Sequence, residues 1–286
     1  MSSTIRLLQD DDKPLVEAMD TGIENDYVLR VFDRLSREPN RIYGLFQDGQ
    51  LVSIGGISIY ANTYAMLGRI RTDRRFKKKG YASEIMSYIK DVAFRDEKIQ
   101  WVGANTQEEN LPARRVMEKI GLSEYTMLHG ALTKNTSMLE SGAMPWRPVT
   151  ELERRKKWIH QTFIEPGNVF PYECYYPFPA TANLFPDHEL RKWTFYENAD
   201  ASRFLITKPD QKKHQYLHVI YPWSDLSDQE GLWETISRDY RQLANQTGEE
   251  TYIWMDLTKE EAQTLPADHA FILKSPWILY GKNKSK

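Results

Sequence analysis

The stretch Arg74-Arg75-Phe76-Lys77-Lys78-Lys79-Gly80-Tyr81-Ala82 constrains this chain more than any other. It joins an apolar, strand-like run at 65–70 to a helical stripe of Ala82, Ile85, Met86, Ile89, Val92 and Ala93. A glycine where a chain turns into a helix presents outward N–H groups, and the helix dipole adds positive potential there. With five basic side chains around it, the stretch predicts a site for a phosphate-bearing ligand. Composition keeps that site local. A net charge of −2 argues against a surface built wholly for nucleic acid or an acidic membrane.

At 286 residues the chain has length for two domains, each with its own core. No apolar run is long enough to span a bilayer, and the start lacks a basic region leading into an apolar one, so a cytoplasmic protein without membrane partners is expected. The single cysteine, Cys174, excludes an intrachain disulfide framework and a multi-cysteine zinc site, and it reads as a lone thiol. His214 and His218 have a spacing that would suit a metal on a helix. They fall in a strand-like segment with no third ligand evident, so no metal site is expected.

Periodicity gives the element order. Strand-like runs at 5–8, 42–46, 51–60, 65–70, 99–103 and 122–132 alternate with helical ones at about 10–19, 24–37, 82–93 and 110–120. Asp48-Gly49 marks a hairpin turn, and Gly121 sits where a helix C-cap belongs. The expected fold is a mixed-sheet α/β domain over 1–135, a linker at 136–150 and a second α/β domain over 151–286. The chain beyond residue 143 holds seven of the eight tryptophans, read as core. Its strands at 204–207, 216–221, 252–257 and 277–280 and helix at 229–244 partly echo the first half, with no residue-level repeat behind the echo.

Two motifs carry the chemistry: Lys77-x-x-Gly80-x-Ala82, opening a helix, and Asn110-x-x-Ala113-x-x-x-Met117-x-x-x-Gly121-Leu122 downstream. At these residues the first half resembles the GNAT superfamily, the GCN5-related N-acetyltransferases. The phosphate loop of that family reads Gln/Arg-x-x-Gly-x-Gly/Ala, and its next helix commonly reads Asn-x-x-Ala-x-x-x-Tyr-x-x-x-Gly-Phe. The resemblance implies acetyl-CoA as co-substrate and a primary amine as acceptor. It places the pantetheine arm on backbone groups of Ile70, Arg71 and Thr72. It places the pyrophosphate on the amides of Lys77, Lys78, Lys79, Gly80, Tyr81 and Ala82, with Asn110 also touching the cofactor. Met117 stands where many members carry the tyrosine that protonates the leaving thiolate.

The catalytic groups are left open at this level. Glu24 and Asp26 begin a helical segment that lines the acceptor site in the family, although capping is the plainer reading of both. Glu108 follows the fifth strand, where it could remove a proton through water or be a solvated loop acid, as could Glu109. Tyr125 and Tyr81 lie near Met117 in the order of the chain without an assignable role. Arg69 reads as one exposed face of a sheet, and Arg71 as either that or a phosphate neighbour. In the second half, the acidic 221–230 segment would repel pyrophosphate, and Gly231 reads as lying inside a helix start. If that half is a degenerate GNAT-like repeat, it has lost cofactor binding. The expected activity is N-acetyl transfer to a small-molecule amine by a monomer or homodimer with no nucleic-acid partner. The alternative is a non-catalytic acetyl-CoA sensor on the same fold.

Overall fold

The computed structural model describes residues 3–285, which form two compact units. One holds the chain up to Tyr125 together with Ile278 onward, and the other runs from Thr126 to Trp277. The division therefore falls inside the strand that ends the first α/β pattern, not in the 136–150 stretch.

In the first unit, β1 (Ser3–Leu7) leads to α1 (Lys13–Glu17), α2 (Tyr27–Arg30) and α3 (Phe32–Leu35). The expected helix at 24–37 is thus two short turns, because Val31 leaves helical geometry at φ −117°. The meander β2 (Asn40–Gln47), β3 (Gln50–Tyr60) and β4 (Tyr64–Thr72) follows, antiparallel throughout. Next come α4 (Tyr81–Arg95), β5 (Trp101–Gln107), α5 (Leu111–Lys119) and the first residues of β6 (Ser123–Thr133). Alternation along β3 divides the core. Ile54 joins Val16, Val28, Phe32 and Leu35 under the short helices. Its neighbour Gly55 faces Met86 and Ile89 of α4, which leave no room for a Cβ.

In the second unit, strands run in the order β6, β13 (Thr251–Leu257), β12 (Gln215–Ile220), β11 (Phe204–Gln211), β10 (Thr194–Glu197) and β7 (Arg147–Pro148). β14 (Ile272–Leu273) pairs on β6. Helix α8 (Leu232–Thr247) lays Trp233 and Ile236 against Leu217, Val219, Ile253 and Met255. α6 (Leu152–Ile159), α7 (Asp187–Leu190), α9 (Lys259–Thr264) and the hairpin β8 (Val169–Glu173) and β9 (Tyr176–Pro179) complete it. Trp146, Trp193, Trp233 and Trp254 are buried, as core tryptophans should be. The expected linker belongs to this unit: Arg147 and Pro148 pair with β10, and Trp146 donates its amide to Thr235.

The last strand, β15 (Trp277–Asn283), runs beside β5, so most of it belongs to the first unit. Tyr280 there is fully buried. Its hydroxyl accepts from Arg114 Nε at 3.2 Å and donates to Glu124 at 2.8 Å. Among the described residues no helix is long and apolar enough to cross a membrane.

Candidate active site

β4 is where the first unit opens. Its parallel ladder with β5 runs from Tyr64 opposite Trp101 to Leu67 opposite Ala104 and then stops, although both strands continue to Thr72 and Gln107. Over the same residues the β3 partner keeps its register only through a bulge. Gly56 pairs with Gly68 and Ile54 with Arg71, so Arg69 and Ile70 together oppose Gly55. Arg69 takes φ +58° to make that bulge. The bulge lies just past the end of the β5 ladder, so backbone groups of Ile70, Arg71 and Thr72 lie along an edge that β5 does not pair. The Ile70 carbonyl accepts Arg71 Nη1 and the Arg71 carbonyl accepts Ser53 Oγ, and each oxygen can take a second donor.

The basic loop follows directly and divides into two parts. Asp73 is fully buried. Its carboxylate accepts the Arg75 amide at 2.9 Å, the Arg75 guanidinium at 2.9 and 2.5 Å, and the Asp20 amide at 3.2 Å. The Arg75 guanidinium, more than the opposing burial, lowers its pKa to about 2. Arg74 donates to the Gly22 carbonyl. Of the five basic side chains, these two arginines therefore hold the loop in place, and Lys77, Lys78 and Lys79 stand exposed.

Lys78 at φ +64° and Gly80 at φ +88° turn the chain so that α4 starts without a side-chain cap. Among the described residues, the amides of Lys78, Lys79, Gly80, Tyr81, Ala82 and Ser83 have no partner within the protein, and the first intrachain bond of the turn is Glu84 N–H to the Gly80 carbonyl. No heavy atom lies within 4 Å of where a Gly80 Cβ would sit. Donors in sequence, an unobstructed glycine, the positive end of a 15-residue helix and three solvated lysines fit a pyrophosphate. Lys77 is outside that set, since its amide bonds to the Arg74 carbonyl.

The other expected residues are placed as follows. Asn110 caps α5, accepting the Ala113 amide at 3.3 Å. Met117 is buried at 2% exposure. Asp26 is buried, caps α2 through Val28, and meets Arg71 in a two-pronged ion pair. Burial would raise its pKa, but the Arg71 guanidinium and the Val28 amide outweigh burial and hold it below the usual range. Arg71 is thus bound to a carboxylate and lies over the Tyr27 ring. Arg69 is half-buried and donates to Ser58 Oγ at 2.7 Å, so it is no solvated strand face. Glu24 and Glu108 are exposed in turns. Tyr125 is 38% exposed and meets Trp101 edge-on. Asp73 escaped the sequence reading, although an aspartate two residues before an arginine at a strand end is an Asx-turn signal. Tyr280 offered no signal, being far from Arg114 along the chain.

The second unit carries a close counterpart. β12 and β13 are parallel, as β4 and β5 are, and the connecting helix α8 starts at Gly231 with φ +77° and ψ −6°, against +88° and −4° at Gly80. Gly231 is therefore the residue before the helix and not inside its start. Here the chain itself occupies the helix end. Glu234 accepts the amides of Gly142 and Ala143 and the Ser141 hydroxyl, and a Cβ on Gly231 would lie 2.2 Å from the Met144 carbonyl oxygen.

Parted parallel strands followed by a glycine-initiated helix define an acetyltransferase-type α/β fold. Residues 5–122 match the model of the acetyltransferase (GNAT) family, and this part of the chain is a GNAT-family domain. No curated protein matches the chain in sequence. Among solved structures, a GCN5-related N-acetyltransferase from Sphaerobacter thermophilus is similar at 14% identity, over 99% of this chain and 96% of that one, with a TM-score of 0.57. A candidate acetyltransferase from Pyrococcus horikoshii shares 13% identity over 99% and 90%, with a TM-score of 0.53. One from Thermoplasma acidophilum shares 15% over 96% and 91%, with a TM-score of 0.50. At these identities the likeness is one of fold, and it extends over nearly the whole chain.

Proposed function

We propose that this chain is an N-acetyltransferase that passes the acetyl group of acetyl-CoA to the primary amine of a small molecule by direct attack. The observation that carries the reading is the run of unbonded amides from Lys78 to Ser83 at the start of α4. In this reading the amides and lysines hold the pyrophosphate, and the open edge of β4 beyond Leu67 receives the pantetheine arm. Acetyl-CoA supplies a thioester, whose carbonyl the neutral amine attacks. The C–N bond forms, the C–S bond breaks, and the thiolate leaves without a metal. A carboxylate or a water chain that removes the ammonium proton assists the attack. Asp26, acidified and locked onto Arg71, serves to position the acceptor loop, which leaves Glu24, Glu108 and Glu109 as candidate bases. Tyr125, an exposed phenol, is the candidate to return a proton to the thiolate.

Calorimetric titration with acetyl-CoA tests the binding step. Saturable binding by the wild type, lost in Gly80→Glu, is the expected result, and equal binding by both would overturn the loop assignment. Release of free CoA thiol against a panel of amines then tests transfer.

A second reading, a non-catalytic acetyl-CoA sensor, is favoured by one observation: buried Met117 occupies the position of the tyrosine expected from the resemblance. It predicts binding without acceptor-dependent thiol release. In either case the second unit takes no cofactor of its own, since Glu234 and residues 142–144 fill the place a pyrophosphate would need.

A further inference from the structure

A polar group inside the second unit is unrelated to acetyl transfer. Cys174, in the turn between β8 and β9, Asp210 on β11 and His218 on β12 each bring one ligand-type atom to within 4.8 Å of the others. Cys174 and His218 are fully buried. His218 Nε2 lies 2.9 Å from Asp256 Oδ2, and that same oxygen accepts the Trp254 indole N–H at 2.9 Å. The other ring nitrogen, Nδ1, is buried and has no hydrogen-bond partner among the described residues. An unsatisfied buried nitrogen costs free energy unless something completes it.

We propose that Cys174, Asp210 and His218 form a binding site for a zinc-type divalent cation. Sulfur, imidazole nitrogen and carboxylate oxygen are the donor set such an ion takes, and a spacing of up to 4.8 Å needs only a modest inward movement for all three to reach one centre. The Asp256 carboxylate on the far nitrogen fixes the ring and directs Nδ1 at the ion, the arrangement by which proteins orient metal-bound histidines.

Charge agrees with this. Lys212 contacts Glu173 at 2.6 Å and Asp210 at 3.3 Å, and Lys208 is buried, bonded to the Tyr172 carbonyl and seated 4.5 Å over the Trp193 ring. With the Cys174 thiolate, three carboxylates (Glu173, Asp210 and Asp256) outweigh these two ammonium groups by two negative charges, which one divalent cation balances. On binding, the thiol gives its proton to solvent and the sulfur bonds to the metal. Of the two histidines noted in the sequence only His218 belongs to this group, because His214 lies against Glu250 at 3.0 Å instead.

Titration of the reduced full-length protein with Co²⁺ tests the proposal, because the chain has one cysteine and a thiolate-to-cobalt absorption band can come only from Cys174. One equivalent of Co²⁺ should raise that band, and Zn²⁺ should abolish it and raise the melting temperature. Cys174→Ser should lose the band, and His218→Ala should bind at least tenfold more weakly. Absence of the band in wild-type protein would overturn the site, whether or not the variants fold. So would a band and affinity unchanged in His218→Ala.

Discussion

Arg71 grips Asp26 with two parallel bonds, Nε to Oδ2 at 2.5 Å and Nη2 to Oδ1 at 2.7 Å, across 45 residues of chain. The pair fastens the start of α2 to the open end of β4, and both side chains are largely out of water. Asp26→Asn should cost about 3 kcal/mol, because it leaves a buried guanidinium without its counter-charge. Replacing both residues should cost less than the sum of the two single changes. Urea unfolding of the four proteins measures this. Additive losses would mean that the pair is not coupled.

Asp73 sets a pH dependence. Its pKa is about 2 in the folded chain and near the ordinary carboxylate value of about 3.9 when unfolded. A lowered folded pKa contributes stability that is full above pH ~4 and is lost as pH falls toward 2. The contribution is about 1–2 kcal/mol, reduced because Arg75 is half in solvent. Asp73→Asn should therefore flatten the acid side of a stability-against-pH curve over that window. An unchanged slope would show that Asp73 does not anchor the loop.

Two glycines of nearly equal φ should respond differently to alanine. Gly80 has open space around a new Cβ, so Gly80→Ala should cost only the left-handed strain, about 1 kcal/mol. Gly231→Ala adds a collision with the Met144 carbonyl and should cost about 3 kcal/mol. Thermal melts of the two variants compare them directly, and equal losses would contradict the filled site at Gly231.

Tyr280 ties the last strand into the first unit. Tyr280→Phe should destabilise the first unit by about 1 kcal/mol, since it removes one hydroxyl shared by Arg114 and Glu124. Truncation after Trp277 should do far more, exposing the β5 edge and weakening acetyl-CoA binding. A truncated chain that bound acetyl-CoA normally would make the returning strand dispensable.

The sequence by itself determined the helix of α4, the meander before it and the glycine between them, because helical and strand periods and a left-handed turn are written in local residue types. It also placed a helix over 110–120, where α5 begins one residue later with Asn110 as its cap, and four of the seven tryptophans read as core are buried, while Trp158, Trp223 and Trp277 are half-buried. What it could not decide was which charges are free. Arg74 and Arg75 look as free as Lys77–79 in the sequence, yet buried Asp73 and the Gly22 carbonyl claim the arginines and leave the lysines to solvent. Arg71 and Asp26 were each candidates for a ligand, and folding spent them on one another. The equivalence of Gly231 to Gly80 appeared only as a backbone angle, and the return of β15 to β5 only as a strand neighbour. Cys174, Asp210 and His218 meet for the same reason: pairing between strands distant in sequence sets side-chain neighbours, and no local pattern records it.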